Sequence, residues 1–243
     1  GDVYTVFTNK PVSGAMRGYG IPQAMFAMES HTDDIAVKLG IPPYEYRWKY
    51  LMPKGYTDGF SKNVNYYDTF RECMEKGSVG VDYERKRREY AQQTGDIRKG
   101  IGMAAFWYNT GVWPISLETS SCRMVMNQDG SIQVQVGETE IGQGADTAFA
   151  QMAAETLGIP FDMVHVMTMQ DTDITPFGLG AYASRQTYMA GFSIRQTAEL
   201  LKSHILDTAV EMTRQMKENL DIIDGNIVRT TDGSVLMSLG ELA

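Results

Sequence analysis

The stretch that decides the fold is residues 131–169, SIQVQVGETEIGQGADTAFAQMAAETLGIPFDMVHVMTM. Its first seven residues alternate apolar and polar side chains, the period of a half-buried strand. Gly142-Gln143-Gly144 then leads into an alanine-rich run from Ala145 to Leu157, a helix that Gly158 and Pro160 bring to an end. Residues 164–169 return to strand-like sequence. Strand, glycine loop, helix and strand within forty residues make this part of the chain α+β.

Working outward, residues 102–108 and 116–127 also read as strands, and Asp129-Gly130 is a hairpin signal. The longest helix is expected over residues 192–219. Ile194, Ala198, Leu201, Ile205, Ala209, Met212 and Met216 would lie along one side of it. A second hairpin turns at Asp232-Gly233. Towards the amino end, VYTVFT at residues 3–8 reads as a strand and residues 9–20 as a glycine-containing loop. A helix begins near Pro22, with Met25, Met28, Thr32, Ile35 and Leu39 on one face and Gly40 at its end. Pro42 and Pro43 open a shorter helix, and two more cover residues 67–76 and 83–93. The polar helical connector between Gly77 and Gly100 suggests two domains, residues 1–95 and 96–243. The expected class is α+β, with a mixed sheet and packed helices in two layers.

Composition narrows the function. The chain has 243 residues, 43% of them hydrophobic, and a net charge of −8. That balance argues against nucleic acid as the main partner. The run Arg85–Arg88 lies in a charge-mixed helix and reads as a solvated face. Two cysteines, Cys73 and Cys122, make neither a disulfide framework nor an iron–sulfur or zinc site by themselves, which fits a reducing, cytoplasmic setting. No apolar run has the length of a membrane helix. Gly1 opens directly in strand-like sequence, so a piece of a longer or processed polypeptide is expected.

Three glycine loops each precede an expected helix: residues 14–20, 142–144 and 178–187. A loop that feeds a helix amino end presents unpaired N–H groups and the positive end of the helix dipole to an anion. Arg17 adds a bidentate donor, Gln143 a donor and an acceptor, and Ser184, Gln186 and Thr187 crowd polar side chains into four positions. Together they suit a polar, phosphorylated ligand.

These loops also resemble the molybdenum hydroxylases, the xanthine dehydrogenase and aldehyde oxidase family. GAMRGYGIPQ at residues 14–23 is similar to that family's GAFRGFGxPQ signature, and GETEIGQGADT at 137–147 to its GGxEMGQGxxT loop. Residues 183–187 within GAYASRQT are similar to the loop that closes over the pterin. The resemblance runs from about residue 3 to residue 237. It implies a molybdopterin-binding subunit, with molybdenum held by the dithiolene of molybdopterin, the cytosine dinucleotide form being an open alternative. It also implies 2Fe-2S and FAD centres on other domains or subunits. Arg17 and Ala183 would lie beside the metal without ligating it through side chains. Ile141, Gly142 and Gln143 would line the pterin, and Ser184, Arg185, Gln186 and Thr187 would hold it or its phosphate. Tyr19 stands where the family commonly has a substrate-stacking phenylalanine, and Trp113 would line the same pocket.

The implied reaction is hydroxylation of a purine or another N-heterocycle with water as oxygen source. Xanthine or hypoxanthine ranks first as substrate, then nicotinate, then an aldehyde; carbon monoxide ranks last because no cysteine-bearing loop resembles that branch. The family's glutamate base sits in a GxGE motif that this chain does not contain. Glu241 in LGEL reads as helix or turn surface, so the chain alone is expected to be inactive. A separate cofactor-binding subunit of a split nicotinate dehydrogenase- or aldehyde oxidase-like enzyme is the alternative, and self-association through exposed apolar surface is a further expectation. A generic nucleotide binder, by contrast, would leave residues 142–144 and 183–187 far apart.

Overall fold

The computed structural model describes residues 2, 4–12, 14, 17–59, 62–108, 110–112, 118–167 and 169–243. The chain forms two compact units, residues 1–108 and 109–243, so the division by contacts falls after Tyr108.

Among the described residues the first unit holds four helices: α1 (Ile21–Lys38), α2 (Pro43–Tyr50), α3 (Thr69–Gly80) and α4 (Tyr83–Ala91). Proline at the first turns of α1 and α2 starts both, since its missing N–H is one the helix could not have paired. On α1 the buried position is Ala36, while Met28 and Leu39 of the expected apolar face are exposed. Polar chemistry displaces that face. Arg47 of α2 is buried and donates to Glu29 Oε2 at 2.7 Å and Asp33 Oδ1 at 2.6 Å, both on α1. Residues 4–8 and 102–108, expected as strands, carry no strand. A β-rich composition fits a pleated surface only where a neighbouring strand supplies the hydrogen bonds.

The second unit contains two three-stranded sheets. In the first, β1 (Cys122–Met126) pairs antiparallel with β2 (Ile132–Val136) through the Asp129-Gly130 turn, and β2 pairs parallel with β3 (Val164–Val166). Helix α5 (Ala145–Leu157) makes the crossover between those parallel strands, with the bounds expected from sequence. Helix α6 runs over Gln186–Thr213, six residues earlier at each end than expected. Its carboxyl end is set by Arg214 in the left-handed conformation, which leaves Met212 and Met216 exposed. The second sheet is an antiparallel meander of β4 (Leu220–Ile223), β5 (Asn226–Arg229) and β6 (Val235–Ser238). Asp232-Gly233 turns between β5 and β6 as expected, and Asp224-Gly225, both left-handed, makes another tight turn between β4 and β5.

Helices α5 and α6 pack on each other and on the first sheet. The core joins Ile132, Val134 and Val136 of β2 to Phe149, Ala153 and Leu157 of α5 and to Ile194 and Ala198 of α6. The alanines let the two helices approach closely. Gly191 of α6 meets the Met152 side chain where a Cβ would otherwise point. Glu241 lies in the short α7 (Leu239–Leu242), where it forms a capping box with Ser238, as befits a surface turn.

Candidate functional site

The segment after β2 and the segment before α6 meet. Gln143 Nε2 donates to Gln186 Oε1 at 2.5 Å, and both amides also donate to the carbonyl of Thr139, at 3.1 and 2.9 Å. Two loops about forty residues apart in sequence thus share one hydrogen-bonded knot, which the generic nucleotide-binding expectation does not predict.

Close backbone packing fixes this meeting. A Cβ on Gly137 would lie 2.3 Å from the Gly178 nitrogen, and one on Gly178 would lie 2.6 Å from the Gly137 carbonyl carbon. Both glycines are required by contact with backbone, which cannot move aside. Gly111 N donates to Ala183 O at 2.8 Å, so residues 110–112 join the same group.

Within the second loop Ala183 and Ser184 both have positive φ, 47° and 52°. Non-glycine residues held there cost of the order of 1 kcal/mol each and concentrate at functional sites. Ala183 is buried, whereas Ser184 and Thr187 are exposed. Beside them lies an open groove of about 650 Å3, lined by Ser184, Thr187, Tyr188, Thr110, Phe192 and Arg195 among others. That volume suits a small ligand.

Electrostatics divide the two helix amino ends. At α5 the Glu140 carboxylate accepts from the N–H groups of Gly142 at 2.6 Å, Gly144 at 3.1 Å and Asp146 at 3.2 Å. These bonds, led by the one from Gly144, hold its carboxyl below the ordinary glutamate range. Burial and the neighbouring Glu140 charge push Asp146 the other way. The expected anion seat at residues 142–144 is therefore occupied by the protein's own carboxylate. At α6 no side chain caps the helix and its first turn carries no acidic residue.

One expected contact is corrected. Arg185 does not point a guanidinium at a ligand: the side chain is fully buried, paired with Glu118 and with Glu138 Oε1 at 3.1 Å. It also donates to Gly180 O at 3.0 Å and Thr119 O at 2.6 Å. Glu118, outside the quoted motifs, and Glu138, inside GETEIGQGADT but given no role there, are the residues that sequence reasoning missed. Ile141 and Gly142 are exposed on the first loop, with Ile141 N held by Gln143 Oε1 at 2.7 Å.

In the first unit Arg17, Gly18, Tyr19 and Gly20 all have positive φ, a continuous left-handed run that ends at α1. Glycine at 18 is required: a Cβ there would lie 2.7 Å from the Pro22 ring. Arg17 and Tyr19 are exposed on this turn. Trp113 lies outside the described residues. Among the described residues no group of three His, Cys, Asp or Glu side chains is arranged to hold a metal, and no helix is long and apolar enough to cross a membrane.

Comparison with known proteins decides the family. Residues 76–243 and residues 1–51 each match the molybdopterin cofactor-binding domain. The chain belongs to the molybdopterin cofactor-binding domain family. It is 47% identical over 240 residues to the xanthine dehydrogenase molybdenum-binding subunit of Escherichia coli O157:H7, covering 98% of this chain and 32% of that protein. The chain thus spans about a third of the length of this curated relative. Among solved structures it is similar to quinoline 2-oxidoreductase from Pseudomonas putida 86, with TM-score 0.75 and 25% identity, over 94% of this chain and 30% of that one. The aldehyde oxidoreductase from Desulfovibrio desulfuricans is 30% identical with TM-score 0.66, over 80% of this chain and 21% of that one.

The residues present fit molybdopterin. The exposed Ser184 and Thr187 hydroxyls offer polar groups to a phosphorylated heterocycle, and Gln143, whose two Nε2 hydrogens go to Gln186 and Thr139, keeps only acceptor capacity on Oε1.

Proposed function

We propose that this chain forms a cofactor-binding wall of a xanthine dehydrogenase-like hydroxylase that oxidises a purine or another N-heterocycle with water as oxygen source. The observation that carries the reading is the Gln143–Gln186 hydrogen bond, which gathers both pterin-loop motifs beside the uncapped amino end of α6. In this family the bound molybdenum–molybdopterin supplies the redox chemistry. The protein's part is position and polarity. Ser184 and Thr187 bind polar edges of the cofactor, and the first N–H groups of α6 take its phosphate. Gln143, held by Gln186 and Thr139, presents its remaining hydrogen-bonding capacity to the pterin. Ala183, with its small side chain and left-handed backbone, would leave room for the cofactor beside the loop.

In the first unit Arg17 and Tyr19 stand in the signature loop before α1, where Arg17 would serve the cofactor and the Tyr19 ring would stack on a flat substrate. The general base is supplied from outside this chain, since Glu118, Glu138 and Glu140 are engaged with Arg185 or with backbone N–H groups. The chain by itself is accordingly inactive. 2Fe-2S and FAD centres on other domains or subunits, in the cytoplasm, would take up the electrons.

Metal analysis and pterin fluorescence on the full-length protein test the cofactor. A screen of xanthine, hypoxanthine, nicotinate and aldehydes then tests the substrate. Molybdenum and pterin at about one each per polypeptide, with turnover of a purine, are expected. A metal-free, pterin-free protein from a molybdenum-replete host would overturn the proposal, and turnover of aldehydes alone would move the substrate class.

A further inference from the structure

We infer that Arg185 is a positioning residue for this site: its buried guanidinium fixes the loop that presents Ala183, Ser184 and Gln186, without contacting the ligand. The inference rests on the molybdopterin reading of that loop. Three chain segments converge on this side chain. It donates to Glu118 and Thr119 on one side, to Glu138 after β2 on a second, and to Gly180 within its own loop. Glu118 in turn accepts from Val112 N at 2.6 Å, which brings in residues 110–112. Glu138 takes a further bond from Ser120 Oγ at 3.0 Å, and its carbonyl accepts from Gln170 Nε2 at 3.1 Å.

The geometry makes the arginine a bracket across two left-handed residues. Arg185 N donates to Tyr182 O at 3.0 Å, while its Nη1 reaches back to Gly180 O, so residues 180–185 close into a turn around Ala183 and Ser184. The guanidinium also lies 5.3 Å from the centre of the Tyr182 ring. Neither Ala183 nor Ser184 favours positive φ by itself, so an external restraint has to hold them there. A planar fork with five donors suits an environment of two carboxylates and two carbonyls; an ammonium cannot reproduce it. Gln186 follows directly and carries the bond to Gln143, so the register of the whole donor set depends on this clamp.

The test uses the full-length protein with Arg185→Met and Arg185→Lys. Three readouts are compared with wild type: unfolding cooperativity, amide exchange resolved by segment, and molybdenum and pterin per polypeptide. For Arg185→Met the expected result is exchange at residues 180–187 faster by about tenfold or more while α5 stays protected. Cofactor content should fall about 10–100-fold, as for other residues that orient a site from behind. Arg185→Lys should recover part of both. Unchanged exchange at 180–187, or wild-type cofactor content in Arg185→Met, overturns the inference. So does protection lost equally from α5 and α6 with cofactor loss that only tracks the unfolded fraction. If Arg185→Met does not fold, Glu118→Gln at the more accessible edge of the cluster must show the same local loosening, and its absence counts against the clamp. A wild-type protein without molybdenum or pterin defeats the cofactor reading instead, while the exchange data still decide whether Arg185 holds the loop.

Discussion

Glu140 accepts three backbone N–H groups at the head of α5, and its carboxyl is held below the ordinary glutamate range by those bonds. A folded-state pKa lowered in this way stabilises the loop at pH values above the unfolded glutamate pKa. The contribution fades as pH falls through the folded value. The protection of the Gly142 and Gly144 amides, relative to their intrinsic exchange rate at each pH, should therefore fall in acid below the ordinary glutamate range, and in Glu140→Gln this acid step should be missing. Gln143→Ala leaves that cap in place but removes the link to Gln186. In the full-length protein it should lower pterin content about tenfold with little change in thermal stability, as judged by pterin fluorescence and a melting curve. Much of this chemistry was legible from residues: Gln143, Ser184 and Thr187 stand out as polar side chains in glycine-flanked loops. Arg185 was not. Its partners Glu118 and Glu138 are 67 and 47 positions away, and an arginine in a loop reads the same whether it faces water or a buried pair of carboxylates.

At the scale of elements, α5 was readable to the residue because its signals are local: Gly144 and Gly158, both left-handed, bound an alanine-rich run. The start of α6 was not, since residues 186–191 look like a continuation of the polar loop and become helical through packing. Gly191 approaches Met152, and Ala190 is fully buried. The strands expected at residues 3–8 and 102–108 do not form over the described residues 4–8 and 102–108 for the converse reason: composition favours extension, but a strand exists only beside another. The same distinction between local and tertiary constraint separates two glycine substitutions. Gly158→Ala forces a left-handed alanine whose Cβ would lie 2.1 Å from the Ile222 carbonyl oxygen, which is backbone and cannot yield. It should destabilise by about 3 kcal/mol in urea unfolding, from the strained φ and overpacking together. Gly191→Ala meets only the end of a flexible Met152 side chain, at 2.8 Å. The higher helix propensity of alanine offsets that contact, so its effect should stay within about 1 kcal/mol.

Over the whole molecule the two units are held together by different physics. The second has a continuous apolar core, from Ile132 and Phe149 through Ile194 to Ile222, Ile227 and Leu239. In the first, among the described residues, the buried side chains besides Arg47 are Ala36, Pro43, Leu51, Met74 and Tyr83, and the centre of the α1–α2 contact is ionic. Arg47 there bonds both Glu29 and Asp33, and Glu29 Oε2 accepts in addition from Ala105 N at 2.8 Å, so one carboxylate also ties in residues beyond α4. Arg47→Met leaves Glu29 largely desolvated with no cation to neutralise it, a change that costs about 3–5 kcal/mol when a buried pair is broken. An apolar core elsewhere does not feel that loss. Segment-resolved amide exchange on the 243-residue chain should therefore show protection falling in α1 and α2 while β2 and α5 keep theirs. Replacing all three charges together, with Glu29→Leu and Asp33→Leu added to Arg47→Met, removes the unpaired carboxylates and should restore most of the lost protection. If the triple variant is no better than Arg47→Met, the ion cluster is not what holds α1 to α2, and shape rather than charge sets that contact.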